Sequence, residues 1–147
     1  MKSSVLAALT ATLALLPAVF MVSPAKAENP EDVQQLLETR VCAGCDLSGA
    51  DLSGAHLIGV DLRWADLSDA NLTGINLEGA DLTGANLEGA NLTEAFLTNA
   101  VLSDANLDGI NLTRAQMYHA DVSGASMSDI TLTDAEVYGT GISIGGE

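Results

Sequence analysis

The sequence predicts an all-β solenoid, in which short extended segments are joined by a corner at every fifth residue. From Cys45 to Gly139 the 147-residue chain reads in fives, as in CDLSG, ADLSG, AHLIG and VDLRW, for 19 consecutive repeats. Leucine occupies the third position in 15 of these repeats, and alanine occupies the first in 14. Glycine occupies the fifth position ten times, and Asp or Asn does so five times more, which is the composition of a tight turn.

A period of five fits neither regular secondary structure. On a helix, five residues advance about 500°, so successive leucines would spread around the axis and form no apolar face. On a straight strand, an odd period sends alternate leucines to opposite sides. The first and third positions share one side of an extended segment, so a chain that turns in one sense after each repeat buries both in a single interior.

Composition limits both the core and the partners of the chain. Aromatic residues make up only 3% of the sequence, so the core has to be built from Ala, Leu, Ile and Val. Twenty acidic residues against five basic ones give a formal net charge of −15. Such a chain lacks the cations that displace counterions from nucleic-acid phosphates, and it is repelled by anionic lipid. We therefore expect no nucleic-acid ligand.

Residues 1–27 are predicted to be an export signal peptide. Lys2 is followed by an apolar stretch from Val5 to Phe20, and Ala25-Lys26-Ala27 is a cleavage site of the A-x-A type. An uncleaved membrane anchor is the alternative, but the apolar run is short for a spanning helix of about 20 residues. Cleavage leaves 120 residues with three arginines and 20 acidic residues, a net charge of −17, and no stable membrane insertion.

Residues 28–40 are predicted to form a short helix that caps the N-terminal end of the solenoid. Asn29 is suited to the N-cap and Pro30 to the first helical position, ahead of two acidic residues in the first turn. Such a cap would cover a sheet edge that otherwise invites strand pairing. Its apolar face is expected to consist of Val33, Leu36 and Leu37.

Cys42 and Cys45 form a C-x-x-C just ahead of the repeats. In an oxidising compartment the pair could form a disulfide; the alternative is two small apolar residues buried at the first turn of the fold. A zinc site would need two more ligands, and the sequence has no second C-x-x-C. A thioredoxin-like role would need a βαβ context that this sequence does not have. We expect neither a metal nor a cofactor.

The tandem A-(D/N)-L-x-x motif resembles the pentapeptide-repeat family, and the resemblance covers Cys45 to Gly139 almost without a break. It implies a right-handed quadrilateral β-helix with four repeats per coil and with Ala and Leu inside. With a degenerate twentieth repeat from Thr140, this makes about five coils, a rod on the order of 24 Å long. The predicted solenoid spans residues 41–144 and is followed by a tail at 145–147.

The N-terminal region also resembles the exported members of this family that are common in cyanobacteria. The resemblance lies in a signal peptide, a short helix and then C-x-x-C-D-L-S-G-A-D-L-S-G-A. It implies that the chain resides in the thylakoid lumen or the periplasm. It implies no biochemical activity.

Four repeats per coil place residues 20 apart above one another and define four faces. Face one contains residues 45–49 and their counterparts at steps of 20; faces two, three and four begin in the same way at 50, 55 and 60. Acidic residues number six on face one, three on face two and four on face four, but face three has only Glu78 and Glu136.

Face three is the predicted protein-interaction surface, because it departs most from the consensus and carries most of the aromatic residues. Aromatic residues are enriched in binding surfaces. The alternative is that they stack to stabilise neighbouring coils, as cross-strand pairs do in sheets. We group with face three the corner at Trp64, which comes from face four and is expected to adjoin face three. The candidate residues are His56, Ile58, Trp64, Phe96, Tyr118, His119 and Tyr138.

Enzymatic activity has little support in the sequence. The mature chain has no lysine, its two histidines are three coils apart, and its serines and threonines recur as repeat filler without a neighbouring base. Weak calcium binding by the carboxylates of face one is an alternative, but no loop gathers those ligands. We predict no enzyme and no catalytic residue.

Two functions remain open. The first is an exported interaction or scaffold module. The second follows from the resemblance alone: some pentapeptide-repeat proteins imitate duplex DNA and bind DNA gyrase, but export would remove this chain from DNA. The C-terminal residues 141–146 predict no capping helix, so we also expect an end-to-end homodimer through the C-terminal coil.

Overall fold

The computed structural model describes residues 29–142, so the predicted signal peptide at 1–27 and the tail at 145–147 lie outside the described residues. Within residues 29–142 the only helix is α1, Pro30–Thr39. The chain from Val41 onward contains isolated one-residue β-bridges rather than longer strands. These residues therefore form one helix followed by a column of very short paired segments.

Helix α1 begins and ends where local chemistry dictates. The Asn29 side chain accepts a hydrogen bond from the Glu31 N–H at 3.1 Å, which satisfies one of the free donors of the first turn. At the other end, Arg40 adopts a left-handed conformation with φ 59°, and its N–H donates to the Leu36 carbonyl at 3.0 Å. This reversal directs the chain into the first coil at Val41.

The coils are defined by parallel bridges between residues 20 apart. The first bridge joins Val41 to Asp61, and the last joins Gln116 to Glu136. Each bridge falls at the second position of a repeat, and each turn falls at the fourth and fifth positions. Four repeats therefore make one winding, with a corner after every repeat.

In the inner coils, a repeat with Asp or Asn at its second position has a partner for all five of its backbone N–H groups. The first-position N–H closes the corner, the second-position N–H bonds to the preceding coil, and the third- and fifth-position N–H groups bond to the following coil. The fourth-position N–H bonds to the Asp or Asn side chain two residues earlier. In the repeat 65–69 these bonds join Ala65 to Leu62 (3.1 Å), Asp66 to Cys45 (2.8 Å), Leu67 to Asn86 (2.7 Å), Ser68 to the Asp66 carboxylate (3.0 Å) and Asp69 to Glu88 (2.9 Å).

The interior consists of the first- and third-position side chains. Leu87 is 0% exposed and Leu107 only 2%, and the alanines between them are equally buried. Fully burying a leucine contributes about 1.5–3 kcal/mol, so the column gains stability by repetition. Toward the end of the described chain this burial weakens: Met127 is 36% exposed, and Leu132 and Val137 are half-buried.

Helix α1 packs on the first coil through one of its two adjacent leucines. Leu36 is fully buried and Val33 packs partly against the core. The prediction that Leu37 shares this apolar face is wrong, because Leu37 is 55% exposed. Leu37 lies about 100° around the helix from Leu36, and a carboxylate oxygen of Asp32, which accepts the Asp46 N–H at 2.8 Å, helps to set which side of the helix meets the coil.

Cys42 and Cys45 lie at the junction between α1 and the first coil and are bonded to each other as a disulfide, with their Cα atoms 5.3 Å apart. Cys42 is fully buried and Cys45 nearly so. The Cys42 sulfur also lies 3.3 Å from the Asp32 carbonyl oxygen of α1. The pair is therefore a buried disulfide under the helix, which combines the bond of the first sequence-based interpretation with the burial of the second.

Replacing the two adjacent leucines of α1 separately tests how the helix docks. Leu36→Ala is expected to lower the free energy of unfolding by about 2–5 kcal/mol, because it leaves a cavity under the helix. Leu37→Ala, the matched control on the solvent side, should change it by less than about 0.5 kcal/mol. Urea denaturation of both variants measures the difference. Equal losses would show that the helix does not dock through Leu36.

Candidate interaction face

The outward Asp and Asn side chains are occupied by the turns of the coil. Their oxygens accept from the backbone N–H two residues later, as Asp51 does from Ser53 at 3.1 Å. Hydrogen bonds from Ser53 lower the pKa of Asp51, and hydrogen bonds from Ser123 lower that of Asp121. These side chains hold the backbone, so their oxygens are only partly available to a ligand.

Paired charges mark two places on the solenoid. The Arg63 guanidinium bonds to the Asp61 carboxylate at 2.7 Å and is the main cause of the lowered pKa of that carboxyl. Arg114 pairs with Glu94 of the preceding coil on face two. Sequence analysis missed both pairs, although the Asp-x-Arg spacing of the first and the 20-residue spacing of the second could have indicated them.

The second-position column of face three is one continuous ladder. The structure bridges His56 to Asn76, Asn76 to Phe96, Phe96 to Gln116 and Gln116 to Glu136. His56 is exposed and Phe96 is 36% exposed, and Ile58 at the neighbouring fourth position is 51% exposed. Face three therefore presents apolar and aromatic side chains on a rigid backbone.

The C-terminal part of face three is a cluster linked across coils. The Tyr118 hydroxyl donates to the Glu136 carboxylate, and this bond raises the pKa of Tyr118. The His119 ring meets the Tyr138 ring edge-to-face, with centroids 5.6 Å apart and planes at 82°. Such contacts stabilise neighbouring coils, which is the alternative role considered for the aromatics. Tyr138 nevertheless remains 69% exposed.

The structure does not bring Trp64 to face three. Trp64 occupies the fifth position of a face-four repeat, which is the corner that leads from face four into face one. The corner that joins face three to face four instead carries His119. The whole width of face four therefore separates Trp64 from the other candidate residues, and its placement beside them is corrected here.

Non-glycine side chains at the fifth position lean over the corner of the next coil. A Cβ built on Gly84 would lie 2.2 Å from Trp64 ring carbons, and one built on Gly139 would lie 2.4 Å from the His119 Nδ1 atom. Sequence analysis missed this arrangement. The signal was available, because each of these two bulky residues is followed by glycine 20 positions later.

No chemical centre is found in the described part of the chain. Residues 29–142 contain no group of three or more His, Cys, Asp and Glu side chains suited to hold a metal ion, and they enclose no pocket. No helix among them is long and apolar enough to cross a bilayer. His56 and His119 lie three coils apart along the ladder and share no neighbour. The candidate sites in the described residues are therefore exposed surfaces rather than enclosed pockets.

Comparison with known proteins identifies the family. A model of pentapeptide repeats matches with eight copies over residues 41–74, 61–99 and 95–134. These matches together span most of the chain, which therefore belongs to the pentapeptide-repeat family, as predicted. The repeat fold of this family is the right-handed quadrilateral β-helix. No curated protein sequence matches the chain.

Solved structures include three relatives of interest. A pentapeptide repeat protein of the Arabidopsis thaliana thylakoid lumen is 34% identical over 63% of this chain and 61% of its own, with a TM-score of 0.44. HetL, involved in heterocyst differentiation regulation in the cyanobacterium Nostoc sp. strain PCC 7120, is 33% identical over 65% of this chain and 50% of its own, with a TM-score of 0.38. QnrB1, a plasmid-mediated fluoroquinolone resistance protein, is 22% identical over 65% of this chain and 67% of its own, with a TM-score of 0.37. This chain thus spans less than two thirds of the first two proteins.

Replacing Arg63 by Gln is expected to raise the pKa of the Asp61 carboxyl toward its ordinary value of 3.8, because the guanidinium hydrogen bond is the main cause of the lowering. A lowered carboxyl pKa adds stability above the ordinary value, and this stability is lost as the pH falls through the lowered pKa. Arg63→Gln should therefore weaken the acid dependence of unfolding below pH 3.8.

Carboxyl carbon-13 NMR titration of both proteins measures the shift. Asp121 is the internal control, because Ser123 and Ser103 rather than an arginine lower its pKa. An Asp61 pKa that is the same with and without the guanidinium would contradict the assignment.

Proposed function

We propose that the chain is an exported, non-enzymatic pentapeptide-repeat scaffold that docks a protein partner on face three. The observation that carries this proposal is the exposure of Ile58, Phe96 and Tyr138 on one rigid face, at 51%, 36% and 69%. The exposed parts of these side chains add no buried apolar surface to the monomer, whereas aromatic residues on a rigid support bind partners at little cost in conformational entropy.

Charge favours the same face. Residues 29–142 carry 18 acidic residues against three arginines, and face three holds only two of the acids. One of these, Glu136, accepts the Tyr118 hydroxyl. A partner approaching face three therefore meets less like-charge repulsion and desolvates fewer carboxylates than on the other faces.

Export is proposed from the leader predicted at residues 1–27, and the compartment is the thylakoid lumen or the periplasm. The thylakoid lumen is also the source of the Arabidopsis structure that this chain resembles. A disulfide between Cys42 and Cys45 suits an oxidising compartment.

We also propose that the scaffold is a homodimer, in which two copies meet through their C-terminal coils. Interior side chains at that end, Met127 and Leu132 among them, are the least buried of the third-position column. Stacking two such ends would remove this apolar surface from water. A chain that sediments as a monomer at high concentration would exclude the dimer.

The alternative is a DNA-mimic that binds a topoisomerase such as DNA gyrase. The strongly acidic rod favours it, and the likeness to QnrB1 shows the fold alone. The predicted leader and the uneven distribution of acids among the faces argue against it.

Removing exposed aromatic side chains from face three is expected to abolish partner capture without lowering the thermal stability of the protein. Affinity capture from the native compartment should recover a specific partner with the wild-type protein but not with Phe96→Asn combined with Tyr138→Asn. Leu37→Asn is the matched control, because it removes an exposed apolar side chain from α1, outside face three. A double variant that melts well below the wild type would instead support a purely structural role for the aromatics.

The proposed export is tested by the N-terminus of the protein in its native cell. Mass spectrometry is expected to find a mature chain that begins at Glu28, because cleavage follows Ala27. Recovery of the uncleaved chain from the compartment that holds the chromosome would revive the gyrase-binding alternative.

A further inference from the structure

The corner at Trp64 is a second surface, separate from face three. Trp64 is 67% exposed, although its six-membered ring lies over the backbone of the next coil. A Cβ built on Gly84 would lie 2.2 Å from both Cε3 and Cζ3 and 2.7 Å from Cη2. Because Gly84 has no side chain, one face of the indole can pack on this corner. The other face is exposed to water.

The backbone at Trp64 makes this placement unusual. Its φ of 61° lies in the left-handed region, which bulky residues rarely adopt. The other non-glycine residues with positive φ in the described chain are Asp, Asn, Glu, Arg or His. The fold requires this conformation at every corner, but neither burial nor turn chemistry accounts for a tryptophan at this one.

The charges around the indole are mostly negative. Asp61 and Asp81 lie on face four beside it, Asp66 begins face one, and Asp104 occupies the same corner two coils beyond Trp64. The one nearby cation, Arg63, is bonded to Asp61 at 2.7 Å and lies 3.8 Å from Asp81. The three carboxylates nearer in the fold outnumber the one guanidinium, so this corner is negative, and exposed charges act over a Debye length of roughly 8 Å.

We propose that the Trp64 corner binds an arginine or lysine side chain from a basic segment of a partner protein. The indole face attracts a cation through its quadrupole, and Trp is the best aromatic residue for this interaction. The flanking carboxylates add charge attraction at the same place. A second copy of the chain does not fit as the occupant, because residues 29–142 contain no lysine and only three widely separated arginines, and so offer no basic segment.

The test uses the only tryptophan of the chain as its own reporter. The folded protein is titrated with the peptide acetyl-Gly-Arg-Gly-Arg-Gly-amide, and its binding is followed by tryptophan emission and by calorimetry. The same peptide with citrulline in place of arginine keeps the shape but removes the charge. We expect the arginine peptide to change the emission and the citrulline peptide to leave it unchanged.

Two variants separate the indole from the general charge of the rod. Trp64→Leu keeps every carboxylate and is expected to weaken calorimetric binding about two- to fivefold, the range for an exposed cation–π contact. Leu37→Ala, on the solvent side of α1, should bind as the wild type does. Gly84→Ala should displace the indole and weaken binding as well, whereas Gly74→Ala, whose Cβ would meet no neighbour, controls for the shared backbone strain.

The proposal is overturned if Trp64→Leu binds the arginine peptide as tightly as the wild type, because only bulk charge attraction would then remain. It is also overturned if the citrulline peptide binds equally well, or if spermidine binds while the arginine peptide does not. This result is independent of face three, because Trp64→Leu leaves the residues proposed for partner capture in place.

Discussion

The corner at the fifth residue is the constraint on which the rest of the structure depends. There the backbone takes a positive φ, and the turn lets the first-position N–H bond back to the third-position carbonyl. Once the chain turns after each repeat, the second-, third- and fifth-position N–H groups meet neighbouring coils, and an Asp or Asn side chain satisfies the fourth in most repeats. A column of such short segments can be stable because almost no buried backbone group is left without a partner.

The same geometry produces the surfaces. Because the repeats place their second and fourth side chains outward, with the buried Ser48 as an exception, a substitution at one of these positions changes a face and leaves the Ala and Leu interior in place. On face three these positions carry the exposed apolar residues Ile58, Phe96 and Tyr138. On face two an ion pair joins the fifth-position residues Arg114 and Glu94. Interior positions allow no such variety, since a larger or polar residue there would have to fit a column already filled by Ala and Leu. Binding specificity in this architecture is therefore a property of the faces.

Much of the fold could be predicted from the five-residue period of the sequence. It indicated the buried leucines and alanines, and the Asn29-Pro30 pair indicated where α1 begins. The orientation of α1 could not be predicted, because Val33 can share a face with either Leu36 or Leu37, and the contact between Asp32 and Asp46 that helps to decide it joins residues 14 apart. The grouping of Trp64 with face three is wrong for a geometric reason: a fifth-position residue belongs to the corner that follows its own face and leans toward the next coil.

The most direct test of the solenoid is the identity of the hydrogen-bond partners in its middle. Scalar coupling across hydrogen bonds, measured by NMR on labelled protein, should connect the Leu87 amide nitrogen to the carbonyl carbon of Asn106, since these groups are 2.8 Å apart from N to O. This coupling joins residues 19 apart and is expected only if the chain winds once in 20 residues. Coupling from Leu87 to the carbonyl of Thr83, four residues earlier, would mean a helix and would contradict the account.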